Sequence, residues 1–146
     1  MKTELTKICA ALFGLVVCAG IQDMAPTVFG AKPPLLLVFG GLAGIPAAIG
    51  AGLFADALGG LPFGGSAFFF AVVALAVRLT GGLSFVILVL AAILYQAGIV
   101  LWCRGSMNVQ LALGAFLAAA ALVPILSAAL RLARRRIGID QEVAVA

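Results

Sequence analysis

Asp56 is the side chain with the most potential for chemistry in this sequence, because it is the one acidic residue well inside an apolar stretch. A carboxylate among apolar groups is costly, so a functional role is the first hypothesis. Asp56 also precedes the turn Gly-Gly-Leu-Pro, and hydrogen bonding to loop amides is an equally strong interpretation. The sequence leaves both roles open.

Other residues that could act in catalysis or ligand binding are scarce. The chain has no histidine, and its three cysteines show no paired spacing. No nucleophile–base pair, carboxylate cluster or phosphate-binding loop is present. We therefore expect a non-enzymatic protein without catalytic residues, a cofactor or a metal site. Gln96, near the middle of an apolar stretch, is predicted to form a hydrogen bond across a helix bundle.

The composition places these residues in a membrane protein. Hydrophobic residues make up 65% of the 146 residues and charged residues 10%, whereas soluble proteins have about 45–50% and about 25%. Such a small charged fraction cannot cover a soluble surface. We predict an all-α, polytopic integral membrane protein with a single transmembrane domain over residues 1–146.

Charged residues divide the chain into apolar stretches that are 15 to 26 residues long. A helix needs about 20 apolar residues to cross a bilayer. With one stretch divided, this pattern predicts about six helices, over Thr6–Met24, Pro34–Gly44, Ile45–Gly59, Phe63–Leu79, Leu83–Cys103 and Asn108–Leu132. Residues 131–146, which begin at the end of the last helix, are predicted to form a short basic cytoplasmic tail.

The basic residues indicate an even number of crossings. Lys and Arg collect on the cytoplasmic side of membrane proteins. With both termini inside, seven of the nine basic residues are cytoplasmic, and only Lys32 and Arg104 lie outside. Five crossings would leave six basic residues outside. We therefore predict a multi-pass protein with both termini in the cytoplasm.

The additional crossing comes from residues 34–59, where Pro46 interrupts the helical pattern shortly after Gly44. The two halves, 34–44 and 45–59, are short for complete spans. They form either two short helices or a re-entrant hairpin, and both arrangements preserve the sidedness. Small residues at fourfold spacing, Gly40, Gly44 and Ala48, predict close helix packing.

Membrane anchors are predicted near the end of the fifth and sixth helices. Trp102 is typical of a residue at the membrane interface. A basic cluster after the last helix would contact anionic membrane lipids, and nothing in the sequence supports nucleic-acid binding. This cluster consists of Arg131, Arg134, Arg135 and Arg136.

The segment around Asp56 resembles the signature of the rod shape-determining protein MreD family. The pattern is Gly-Leu-x-x-Asp-x-x-x-Gly-x-x-x-Gly, which is matched by Gly52, Leu53, Asp56, Gly60 and Gly64, with Pro62 in the turn between the last two. The order and length of the apolar segments agree with this family over nearly the whole chain. The resemblance implies the fold of the substrate-binding subunits of energy-coupling-factor transporters.

The resemblance also implies a function. Members of this family are non-enzymatic scaffolds of the lateral cell-wall elongation machinery in the bacterial inner membrane. They act with MreC and connect the MreB cytoskeleton to a peptidoglycan glycosyltransferase and transpeptidase. The alternative is a small-solute transporter subunit with a binding pocket between helices. A transporter of this kind needs several polar groups that converge near the midplane, and the sequence offers mainly Asp56 and Gln96.

Overall fold

The computed structural model describes residues 2–59, 64–103 and 108–145, and the regular secondary structure in these ranges is helical. This confirms the predicted all-α class for the described residues. The helices are connected by short segments, including a 3-10 turn at Gly81–Leu83. In chain order they are α1 Lys2–Met24, α2 Leu35–Ala43, α3 Ile45–Gly59, α4 Gly65–Thr80, α5 Ser84–Trp102 and α6 Val109–Val145.

The surface of the bundle is apolar to a degree that fits an all-α membrane protein. Two segments of the described chain, Gly65–Trp102 and Val109–Ala133, are long and apolar enough to cross a bilayer. Large apolar side chains are exposed on these segments and on α1, such as Phe68 at 75% and Phe13 at 72%. In lipid this exposure has no hydrophobic cost, whereas in water it would favour aggregation.

Helix α2 forms the centre of the bundle. Its residues from Leu35 to Gly41 are all buried, and the helix packs against α1, α3, α4, α5 and α6. A helix that is surrounded on every side must be apolar on every side. The sequence Leu-Leu-Leu-Val-Phe-Gly-Gly meets this requirement, which explains why α2 has no polar face.

The predicted break near Pro46 is confirmed, since α2 ends at Ala43 and α3 begins at Ile45. Gly44 connects them with φ +119°, a conformation that only glycine adopts readily. The two helices then fold against each other at Gly40, where an added Cβ would lie 2.8 Å from Ala48 Cα. Gly40 and Ala48 therefore lie where the two helices are in close contact. At Gly44, by contrast, an added Cβ would have no atom within 4 Å, and this glycine forms the turn between the two helices.

Two predicted helix bounds differ from the structure by more than two residues. Helix α1 begins at Lys2, before the predicted Thr6. Helix α6 continues to Val145, beyond the predicted end at Leu132, so most of the predicted tail 131–146 is helical. Arg, Ala and Leu favour helix, and no proline follows Leu132 to end it. At 1.5 Å per residue α6 is about 55 Å long, more than the roughly 30 Å of hydrocarbon in a bilayer.

Successive helices run in opposite directions, so six helix ends meet at one end of the bundle, which we call the distal end. It includes the C-terminal ends of α1, α3 and α5 and the N-terminal ends of α2, α4 and α6, and it lies opposite the ends of α1 and α6 that carry the chain termini. The contacts that bring these ends together are Gln22–Leu36, Asp56–Ser66, Ser66–Tyr95 and Gly114–Val28.

Candidate functional site

The Asp56 carboxylate connects the end of α3 to the start of α4. Its side chain is buried, with 1% of its surface exposed. Oδ2 accepts a hydrogen bond from the Gly64 backbone N–H at 2.7 Å, and Oδ1 accepts one from the Ser66 N–H at 3.1 Å. Both carboxylate oxygens are therefore paired inside the protein. Hydrogen bonding to loop amides, one of the two roles that the sequence left open, is the role that the structure shows.

The position of Asp56 is explained by the unpaired N–H groups at the start of α4. The first N–H groups of a helix have no partner within the helix. The residue before α4 is Gly64, at φ +102°, and glycine has no side chain that could cap them. A carboxylate from α3 supplies the missing acceptor, and its negative charge lies at the positive end of the α4 dipole. This environment explains how a charged residue is accommodated in an apolar bundle.

A second hydrogen bond extends the site to α5. Ser66 Oγ and Tyr95 Oη lie 3.0 Å apart, and Ser66 is buried. The Tyr95 ring is stacked on Phe69 with centroids 5.8 Å apart and contacts the Phe70 ring edge-on at 5.0 Å. Tyr95 thus joins the polar and aromatic contacts between α4 and α5. This pair could not be predicted from the sequence, because nothing local connects residues separated by 29 positions.

Gly52 is the position of closest approach between α3 and α4. An added Cβ would occupy the space of the Ala67 and Ser66 backbone, so only glycine fits. We call Gly52, Asp56, Gly64 and Ser66 the α3–α4 clamp, since together they fix one helix against the next. Three of these residues, Gly52, Asp56 and Gly64, also match the signature, and packing and capping account for their spacing.

The remaining signature residues have different placements. Leu53 is half-buried on α3. Gly60 and Pro62 lie outside the described residues.

Gln22 caps α2 in the same way that Asp56 caps α4. Its Oε1 accepts a hydrogen bond from the Leu36 N–H at 2.9 Å. Pro34, which precedes α2, provides no side-chain cap. Gln22 was not among the predicted site residues, although the two prolines before an apolar helix signal that the capping group must come from elsewhere.

A cleft of about 260 Å³ opens at the distal end between α1, the segment before α2, α3 and α5. We call it the distal cleft. A reverse turn, closed by reciprocal backbone hydrogen bonds between Val28 and Ala31, positions the next residue, Lys32. Lys32 Nζ lies 3.4 Å from Asp23 Oδ1, and both side chains are exposed. The lining of the cleft includes Gln22, Asp23, Lys32, Leu58, Gln96, Ile99 and Cys103.

The other predicted site residues are spread over the surface or line this cleft. Gln96 is half-buried and lines the cleft, and its side chain forms no hydrogen bond with another described residue. Trp102 is 63% exposed at the end of α5. Arg131 and Arg135 are exposed on α6. The side chains of Arg134 and Arg136 lie outside the described part of the structure.

No family model, curated protein or solved structure matches this chain.

Proposed function

We propose that this protein is a non-enzymatic inner-membrane scaffold of the lateral cell-wall elongation machinery. The resemblance of the Gly52–Gly64 segment to the MreD signature supports the assignment. The structure supports it through the α3–α4 clamp, because the signature residues described there, Gly52, Asp56 and Gly64, act in packing and capping. Residues that shape a rigid body suit a protein that holds others in place.

The observation that carries the proposal is that the buried polar residues already have hydrogen-bond partners within the protein. Among the described residues, the buried polar or charged ones are Asp56 and Ser66, and both have hydrogen-bond partners within the protein. A transporter of polar solutes requires groups near the midplane that are available to the solute. Neither of these two buried side chains is free to bind a solute, which favours a role through external surfaces.

The proposed topology is multi-pass with both termini in the cytoplasm. Arg78, at the end of α4, and Arg131, on α6, lie toward the end of the bundle opposite the distal end, whereas Lys32 lies at the distal end. This distribution agrees with the positive-inside rule if the distal end faces away from the cytoplasm. Helices α2 and α3 are about 14 and 22 Å long at 1.5 Å per residue. They cross as two short helices or form a re-entrant hairpin, with α2 shielded from lipid by the other helices.

The proposed partners are an MreC-like protein and, directly or through it, the MreB cytoskeleton and a peptidoglycan glycosyltransferase and transpeptidase. Contacts between helix faces in lipid depend on shape, so a partner should require an intact α3–α4 clamp. We expect an MreC-like protein to co-purify with the tagged protein from detergent-solubilised membranes. Asp56→Ala should lose this partner, and the exposed variant Asp23→Asn should retain it. Failure of the wild-type protein to retain an MreC-like protein would contradict the proposal.

The distal cleft favours a second candidate function, a small-solute transporter subunit. The cleft is a concave site with both charged and amide side chains, which a pure scaffold does not require. The two functions are distinguished by depleting the protein and measuring cell shape and solute uptake together. Normal cell shape with uptake that depends on the cleft residues Asp23 and Lys32 would support the transporter subunit and exclude the scaffold.

A further inference from the structure

We propose that the distal cleft binds a small zwitterion of the amino-acid type, with the ammonium group at Asp23 and the carboxylate at Lys32. A volume of about 260 Å³ is below the range of about 300–1,000 Å³ for drug-sized ligands. The cleft therefore suits a small metabolite. This inference concerns binding alone, and it holds for a scaffold and for a transporter subunit.

The charged pair at the cleft determines the class of ligand. Asp23 and Lys32 form an exposed ion pair at 3.4 Å, and such pairs contribute little stability. A zwitterion can separate them and replace one weak pair with two new ones. A ligand with a single charge would leave either Asp23 or Lys32 without a partner. The pair therefore selects against simple amines and simple acids.

The uncharged lining fits the rest of an amino acid. The Gln96 amide is half-buried and forms no hydrogen bond with another described residue, so both its donor and its acceptor can serve a ligand. The amide nitrogen of Gln22 also remains available, because the hydrogen bond to α2 uses only Oε1. Leu58 and Ile99 provide an apolar wall for a short aliphatic side chain.

Cys103 provides a reporter, since it is exposed and lines the cleft. The full chain would carry Cys9→Ala, which leaves Cys103 as the exposed thiol because Cys18 is buried. The rate of maleimide labelling in detergent micelles is measured against the concentration of L-leucine, leucine methyl ester or N-acetyl-leucine. We expect leucine to slow labelling with saturation. The ester and the N-acetyl compound should require concentrations at least tenfold higher.

Two variants test the charged pair. Asp23→Asn and Lys32→Gln should each raise the half-saturating leucine concentration at least tenfold, or about 1.4 kcal/mol. Both residues are exposed, so both variants should fold, which circular dichroism verifies. Thr80→Val is the matched control, because Thr80 bonds only its own helix at the opposite end of the bundle, and it should leave leucine protection unchanged.

Three results would overturn the proposal. The first is the absence of protection by leucine. The second is equal protection by the methyl ester or the N-acetyl compound, which would show that one charge suffices. The third is leucine protection that persists in both charge variants. In the first case, protection of Cys103 by a co-purified protein would assign the cleft to a protein contact.

Discussion

Removing the Asp56 carboxylate should destabilise the bundle far more than removing any exposed carboxylate. In Asp56→Ala, the N–H groups of Gly64 and Ser66 lose their acceptor. An unpaired buried donor costs about 1–3 kcal/mol, so two donors give about 2–6 kcal/mol, and we expect about 3 kcal/mol because Gly64 is only partly buried. Asp56→Asn keeps one carbonyl oxygen as an acceptor but loses the charge at the α4 N-terminus. We expect about 1.5 kcal/mol for this variant.

The free energy of unfolding can be measured by titrating the purified protein with sodium dodecyl sulfate in mixed micelles. Trp102 is the one tryptophan in the chain, so its fluorescence reports on unfolding without a label. Asp23→Asn is the matched control. Asp23 is 66% exposed, and its carboxylate lies 3.4 Å from Lys32 Nζ. Removing the charge of Asp23 should therefore lower the free energy of unfolding by at most about 1 kcal/mol.

The ranking of the variants tests the reasoning. We expect the loss of stability to decrease in the order Asp56→Ala, Asp56→Asn, Asp23→Asn. If Asp56→Ala unfolds at the same detergent fraction as Asp23→Asn, the two hydrogen bonds do not support α4, and the structural role of Asp56 is refuted.

Three further predictions use the same unfolding assay. Gly52→Ala should lower the free energy of unfolding by about 3 kcal/mol or more, because the added Cβ would overlap the α4 backbone. Gly98→Ala is the control, since its added Cβ meets no atom within 4 Å. This control should be neutral or gain up to about 1 kcal/mol from helix propensity. Gln22→Leu should cost about 1–2 kcal/mol, because the first turn of α2 loses its cap; an unchanged stability would mean that water serves this amide. Tyr95→Phe should cost about 1 kcal/mol through the lost bond to Ser66, and its effect should be less than additive with Asp56→Ala, since both act through Ser66.

The helical fold was largely predictable because its signals are local. The Gly44–Pro46 pair interrupts the helical pattern, and the observed helices end and begin at Ala43 and Ile45. The end of α6 was not predictable in the same way. The charged region that starts at Arg131 predicts a helix end near Leu132, but charge marks the limit of an apolar segment and does not stop helix formation.

The candidate site was predictable only in part, because its contacts join distant residues. Asp56 stood out as an acidic residue in an apolar sequence. Its partner Ser66 and the next contact, Tyr95, could not be inferred, since side-chain identity alone does not show which helices face each other. The role of Gln22 could not be predicted from residue type, because most glutamines lie on the surface and cap no helix. The cleft depends on the meeting of several helix ends, which no local pattern encodes.

Cell shape during depletion tests the central proposal most directly. Rod-shaped cells that make this protein are depleted of it and complemented with the wild-type chain or with Asp56→Ala. A scaffold of lateral wall elongation predicts that depleted cells become round, that the wild-type chain restores rods, and that Asp56→Ala restores them poorly. Cells that stay rod-shaped after complete depletion would contradict the proposed function.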